Sequence, residues 1–405
     1  MKIGMILDKG FPPDTRVENE AKTLIAHGHE VILFCWNFRN QAETENIDGI
    51  QVHRYKLSQK LFDFLSPLAF TFPVYFFFLT YYVKKFLSNY KPDVIHIHDM
   101  VAAEPVYKVA NRSTPIVLDL HENRPEIMKT YTHINSGFGK FLVDVEKWRK
   151  KQQALIGLAD KLIVVTEEAK NEILDQHEIN KENIYVVPNA VMIENFFNYQ
   201  INNEIIEKYQ SDFVVLYLGS TGLRRGTETA IHSIKILKNK INNIKLVLVG
   251  KSRDDAKLKK LTENLNIKDN VVFEGWQNVT LFPSYILVSD VCISPLLRNL
   301  HHDTTYANKL FQYMSLGKPT VVSDCPAQRE VVEKENCGLV HKADDPNDLA
   351  DKIEKLYYDK KLSEKLGENG KLAVLSKYNW TETGKDLVNL YETLEKGTNH
   401  DKKYL

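Results

Sequence analysis

A chain of 405 residues, 43% hydrophobic and 26% charged, is too long for one ordinary core and too apolar to be disordered, so it suits two globular domains. Lysine plus arginine equals aspartate plus glutamate at 53 each, so no overall field draws the chain to nucleic acid, and any grip on an anion must be local. Cys35, Cys292, Cys325 and Cys337 form no C-x-x-C pair and read as reduced, mostly buried thiols of a cytoplasmic protein, not as a zinc site.

In chain order, "KIGMILD" predicts a strand over 2–8, its apolar run being too short for a signal peptide. The loop "KGFPPDTR" leads to a helical pattern that ends at Gly28, and "HEVILFC" is the second strand. Residues 64–83, "FLSPLAFTFPVYFFFLTYYV", carry no charge and reach the roughly 20 residues a bilayer crossing needs. Pro67 and Pro73 interrupt a helix there, and a crossing would divide the strands of one sheet between two sides of a membrane. The expectation is core helices with an exposed aromatic face ending in "VKKF", a peripheral membrane contact through 61–87. Complete cover by the domain itself is the alternative.

Strands "DVIHIHD", "PIVLDLHE", "KLIVVTEEA" and "IYVVPNAV" follow, and the polar stretch 194–212 reads as a linker. The alternation then restarts with "FVVLYLGS", "IKLVLVGK", "NVVFEGW", "DVCISPL" and "KPTVVSD", with helical patterns between them. Alternating units of this kind define a doubly wound α/β fold, here two Rossmann-like domains facing across a cleft. The expected division is 1–195, joined by the C-terminal helix 380–398, and 210–378.

In such sheets ligands sit beyond the carboxyl ends of the strands. There "YLGSTGLRRGTETAI" turns at Gly219, carries Arg224 and Arg225, and opens a helix near Thr227. Helix-start amides beside two guanidiniums suit a phosphate, although a βα turn with solvated arginines reads equally well. In "TTYANKLFQYM", Lys309 and Gln312 lie three apart, offering a point charge and a donor–acceptor pair on one rim, or two ordinary surface residues. His121 and Glu122 directly follow an apolar strand, where a histidine can hydrogen-bond a hydroxyl or move a proton. Gly10 lets a ligand approach the first βα turn, and Asp14, Arg16 and Glu18 follow it, readable as cleft residues or as helix caps. His96, His98 and Asp99 do not converge on one face of their strand, so no metal is expected.

Taken together and in order, "PPDTRVENEAKTLIAHGHEV", "DVIHIHD", "DLHE", "VVPNAV", "LYLGSTGLRRGTETAI", "VVFEGW" and "NKLFQYMSLGKPTVVSD" resemble the retaining GT-B glycosyltransferases of the family 4 type. The resemblance covers nearly the whole chain and is densest over 213–345. It implies transfer of a sugar from a nucleotide-diphosphate sugar, a UDP-sugar favoured, to a saccharide or lipid-linked acceptor in cell-surface polysaccharide assembly at the inner face of the membrane. It places His121, Arg225 and Lys309 at the reacting centre, without metal or cofactor. Gly10, Gly219, Arg224, Gly275, Trp276, Thr304, Thr305, Tyr306, Ala307, Asn308 and Gln312 would meet the donor, and Asp14, Arg16 and Glu122 the acceptor. Two family glutamates are replaced by Thr304 and Gln312, so Asp303 or the amides of Thr305 to Ala307 would hold the sugar instead. The same replacement motivates a second reading, a silent nucleotide-sugar-binding partner of a heteromeric transferase.

Overall fold

The computed structural model describes residues 1–70, 72–129 and 144–401. The chain falls into two units, Met1–Pro188 with the chain from Gly384 onward, and Asn189–Thr383.

In the first unit the strands are β1 (Lys2–Gly10), β2 (Glu30–Asn37), β3 (Thr44–Ile47), β4 (Ile50–Lys56), β5 (Val94–His98), β6 (Ile116–Asp119), β7 (Lys161–Val164) and β8 (Ile184–Val186). They lie in the order β3-β4-β2-β1-β5-β6-β7-β8, and only β3 runs antiparallel to its neighbour. All five residues of β5 and all four of β6 are buried, which is why they read as continuous apolar runs broken only by His96, His98 and Asp119. The β3–β4 hairpin carries mostly polar residues at the sheet edge, and so it left no apolar run in the sequence.

The aromatic stretch breaks at its prolines as expected. Helix Gln59–Leu65 runs into a short turn at Ser66–Leu68, and helix Val74–Tyr90 starts after Pro73. Its inner face buries Tyr75, Phe76, Leu79, Val83 and Phe86. The Tyr75 hydroxyl and the Trp36 indole N–H (2.7 Å) both donate to the buried carboxylate of Asp8, fastening this helix to β1 and β2. The outer face of helix Val74–Tyr90 leaves Phe78 and Tyr81 exposed, with Phe77 74% exposed, and Phe64 on the preceding helix and Phe72 between the two are exposed as well. Among the described residues no helix is long and apolar enough to cross a membrane.

The second unit holds β9 (Phe213–Leu218), β10 (Ile244–Val249), β11 (Val271–Gly275), β12 (Val291–Ser294), β13 (Thr320–Ser323) and β14 (Gly338–His341), all parallel, in the order β11-β10-β9-β12-β13-β14. This is the doubly wound order with its direction reversing between β9 and β12; in the first unit the reversal falls between β1 and β5. Stretch 194–212, read from its polarity as a linker, instead forms helices Ile193–Phe197 and Asn203–Tyr209. Phe196, Ile205 and Tyr209 pack on the Val214, Leu216 and Leu218 side of β9, so these residues belong to the second unit's core. The final helix, Trp380–Asp401, contributes to the first unit from Gly384 on, where Leu387, Leu390 and Tyr391 are buried.

Candidate active site

In the second unit the polar residues gather at the reversal between β9 and β12. After β9 the chain turns through Gly219 (φ 111°) to Gly226 (φ 74°), whose Cα packs so tightly on Pro295 that a Cβ would lie 1.6 Å from the Pro295 carbonyl oxygen. The Leu297 amide donates to the Arg224 carbonyl at 3.2 Å, so the loops after β9 and β12 are locked together. Asp254 accepts from the Leu223 amide at 3.0 Å, and Asp255 accepts from the Thr221 hydroxyl. These bonds hold Arg224 and Arg225 at the mouth of helix Thr227–Leu237, which has no side-chain cap.

Lys309 reaches the same place from the start of helix Asn308–Ser315, also without a side-chain cap. Its ammonium sits 3.6 Å from the centroid of the Tyr217 ring, and a Cβ on Gly219 would lie 3.6 Å from it. Neither Lys309 nor Arg225 has a carboxylate partner among the described residues. Burial, and next the Arg225 charge, push the Lys309 pKa well below its ordinary value. Two buried histidines that the sequence reading left outside the site line its wall. Burial first, with Arg224 and Arg225 adding to it, drives His301 down to about 3 and His302 to about 4. His302 lies 2.7 Å from the Leu297 carbonyl through Nδ1 and faces Arg224 at 3.4 Å through Nε2. The result is a site with unneutralised positive charge, walled by neutral imidazoles. That is an anion site.

Gln312 is half-buried on the same helix, its side chain without a hydrogen bond among the described residues. Gly275 (φ 70°) ends β11 at the same end of the sheet, and Trp276 stands 73% exposed beside it. Thr304 and Thr305 turn their hydroxyls back to the carbonyls of Leu300 (2.7 Å) and His301 (2.6 Å). Asp303, one candidate to stand in for the missing glutamate, is paired in this structure: Arg298 forks its two oxygens at 2.7 and 3.1 Å. The other candidate is the backbone over Thr305, Tyr306 and Ala307, leading into Asn308.

In the first unit the charges are paired. Arg16, expected at an acceptor, is 7% exposed. It donates to Asp119 at 2.9 and 2.7 Å and to the Val187 carbonyl at 2.9 Å, and it lies 3.0 Å from Glu20. Its unfavourable place at a helix start is explained by these buried carboxylates, Glu20 one turn along the same helix and Asp119 far away in the sequence. Asp14 is a helix cap that accepts from the Val17 amide at 3.2 Å, and Glu122 pairs with Arg124 at 3.2 Å, so each already has a structural partner.

His121 lies between two acids, with Nε2 2.6 Å from Asp119 and Nδ1 3.7 Å from Asp99. Burial alone would lower its pKa, but the two carboxylates outweigh it and hold it at about 9, so the ring is an imidazolium at neutral pH. His98 lies 3.2 Å from the same Nε2, and burial drives it to about 3. Asp99 adopts φ 66° and ψ 161°, a conformation that costs a non-glycine residue about 1–3 kcal/mol. Its amide donates to the Asp119 carbonyl and its carboxylate accepts from the His121 amide, so the surroundings impose that shape. Glu20, His96, His98 and Asp119 cluster closely enough to suggest a metal, yet the two carboxylates already meet Arg16 and His121. The group is a charge-balanced network, with burial raising Glu20 to about 7.

Known proteins resemble this chain in sequence and in fold. Residues 14–195 match Glycosyltransferase Family 4 and residues 198–373 match Glycosyl transferases group 1. The chain belongs to this family of glycosyltransferases and has its GT-B fold. An uncharacterised glycosyltransferase of Methanocaldococcus jannaschii, MJ1607, is 24% identical over 97% of this chain and 98% of its own length. The capsular polysaccharide biosynthesis glycosyltransferase CapM of Staphylococcus aureus is 26% identical over 59% of this chain and 63% of its own. The crystal structure of Anabaena HepE in complex with UDP-glucose superposes with a TM-score of 0.70 at 15% identity, covering 97% of this chain and all of that one.

Proposed function

We propose that this glycosyltransferase moves a sugar from a nucleotide-diphosphate sugar, a UDP-sugar first among them, to a hydroxyl of a saccharide or lipid-linked acceptor with the anomeric configuration retained. The observation that carries the proposal is the pair of unpartnered cations, Arg225 and Lys309, at the reversal of the second sheet. As the glycosidic bond breaks, negative charge grows on the departing diphosphate. Fixed cations in a poorly solvated site stabilise that charge without reorganising. In this reading Gly219, Arg224 and the backbone from Thr304 to Asn308 complete the diphosphate and sugar contacts. Gln312 holds the ribose, and Gly275 with Trp276 holds the base. His121 and the Gly10 loop are assigned to the donor sugar, with the imidazolium as a hydrogen-bond donor. The cations supply the counter-charge, and the reading calls on no metal or cofactor.

The UDP-glucose complex of HepE supports the choice of donor, and the capsular role of CapM supports surface polysaccharide assembly. The exposed aromatic face over 61–87, followed by Lys84 and Lys85, supports peripheral contact with a cytoplasmic membrane face. The test combines the protein with UDP-, GDP- and ADP-sugars and a membrane extract, following nucleoside diphosphate release and the anomeric configuration of the product. Release with retention is expected. An inverted product would overturn the retaining step. Stabilisation by a nucleotide without any release would favour the silent-partner reading that the loss of both glutamates raises.

A further inference from the structure

We infer that a cavity at the carboxyl ends of β1 and β2 receives the phosphate of a lipid-linked acceptor, with Arg39 and Lys9 on the phosphate and Phe38 and Phe62 against the group it carries. The inference rests on the transferase reading above and adds the acceptor's chemical class.

The cavity holds about 270 Å3 between the loop that follows β1, the loop that follows β2 and helix Gln59–Leu65. Its walls are pinned from behind. The buried guanidinium of Arg54 donates to the carbonyls of Phe11 (3.0 Å) and Ala42 (2.9 Å). Asn37 donates to the Gln41 carbonyl at 2.7 Å and accepts from its amide at 3.0 Å. Gly10 lets Phe38 close the floor, since a Cβ there would come within 3.0 Å of that ring. Phe38 and Phe62 meet with ring centroids 5.1 Å apart.

The lining contains two cations, Lys9 and Arg39, and no carboxylate. The Lys9 ammonium pairs with Asp99 at 3.6 Å and also feels Asp14 and Glu122, whereas Arg39 is exposed and has no ion pair among the described residues, so the uncompensated charge is that of Arg39. A neutral sugar gives no reason for this excess of positive charge, whereas a phosphate does. The volume lies just under the range of about 300 Å3 and above that is usual for ligand pockets, enough for a head group and too little for a lipid tail. A tail has a path outside it. On the same helix Leu61 and Phe64 turn to solvent, and Phe72, Phe77 and Tyr81 extend the apolar face. Between 59 and 87 the only acid is Asp63, and it accepts from Gln59 at 2.8 Å, while Lys60, Lys84 and Lys85 are exposed.

The test is calorimetric titration of the full chain with farnesyl phosphate, farnesol and inorganic phosphate, repeated on Arg39→Gln and Arg225→Ala. Farnesyl phosphate is expected to bind the natural chain at least about tenfold more tightly than either fragment. Arg39→Gln weakens it about tenfold or more, the loss of one charge-assisted contact. Arg225→Ala leaves it unchanged. Unaltered affinity in Arg39→Gln, or no binding of farnesyl phosphate at all, overturns the inference. So does loss confined to Arg225→Ala, which would move the phosphate to the second unit. Equal binding of farnesol would mean an apolar surface only, and equal binding of inorganic phosphate a soluble ligand; either overturns it. None of these readings requires sugar transfer, so a failure of the pocket and a failure of the transferase reading remain distinct.

Discussion

The carboxyl ends of the two sheets hold similar residues in opposite electrostatic states. In the first unit Arg16, Glu20, Asp119, Asp99 and His121 lie within reach of one another and satisfy each other's charge. In the second, Arg225 and Lys309 share a site with two neutral histidines and, among the described residues, no acid to pair with. A buried ion pair contributes little net stability but is costly to break. An unpaired cation is held at a cost to the fold, and that cost is recovered when an anion arrives. The first cluster therefore maintains geometry and the charge of His121, and the second is poised for a ligand.

Substitutions can break this contrast. The largest effect is expected from Arg225→Ala: nucleoside diphosphate release should fall about 100-fold or more, the usual cost of one transition-state charge contact. Its urea midpoint should match the natural chain or exceed it, because a repulsive neighbour of Lys309 has gone. Arg16→Met should do the reverse to stability. It strands two buried carboxylates, and unfolding in urea should show a loss of about 3–5 kcal/mol.

Asp119→Asn sharpens the contrast through pH. In the folded chain His121 titrates at about 9, above its ordinary 6.5. Its stabilising contribution is thus complete below 6.5 and disappears as pH rises through about 9. If the imidazolium is the working form, the alkaline limb of kcat/KM falls near pH 9 in the natural chain. Removing the Asp119 charge should move that limb to lower pH, and an unmoved limb would detach His121 from the reaction.

Smaller effects should come from the second unit. A diphosphate would raise the lowered pKa of Lys309, so UDP binding should take up a proton at a pH between the free and the bound values and none well below both. That uptake would be read from the change in binding heat between buffers of different ionisation enthalpy. Gln312→Ala should raise the donor KM only about fivefold, the worth of one neutral hydrogen bond, with kcat little changed.

Much of the molecule was legible in the sequence, because strands buried on both faces must be apolar throughout. "FVVLYLGS" and "DVIHIHD" could therefore be recognised without a structure, and the polar residues that end such runs must lie at the sheet's carboxyl edge. Gly219, Arg225 and His121 were chosen as candidates by that rule, and Lys309 by its spacing from Gln312 along one helix. The prolines fixed where the aromatic helices stop, since neither Pro67 nor Pro73 can supply a helix N–H. What the sequence by itself determined was thus where the apolar buried strands lie and which polar residues follow them, whereas the helices within 194–212 and the polar β3–β4 hairpin escaped that rule.

Only the tertiary structure decided which charges meet. Arg16 and Asp119 are 103 residues apart in the chain, and no local pattern distinguishes an arginine that faces a ligand from one that faces a buried acid. The same holds for Asp303, whose pairing with Arg298 no spacing rule shows. Electrostatic partners depend on distances through space, which the packing of the sheets sets. Backbone periodicity is a property of neighbours along the chain, and so it can be read from them.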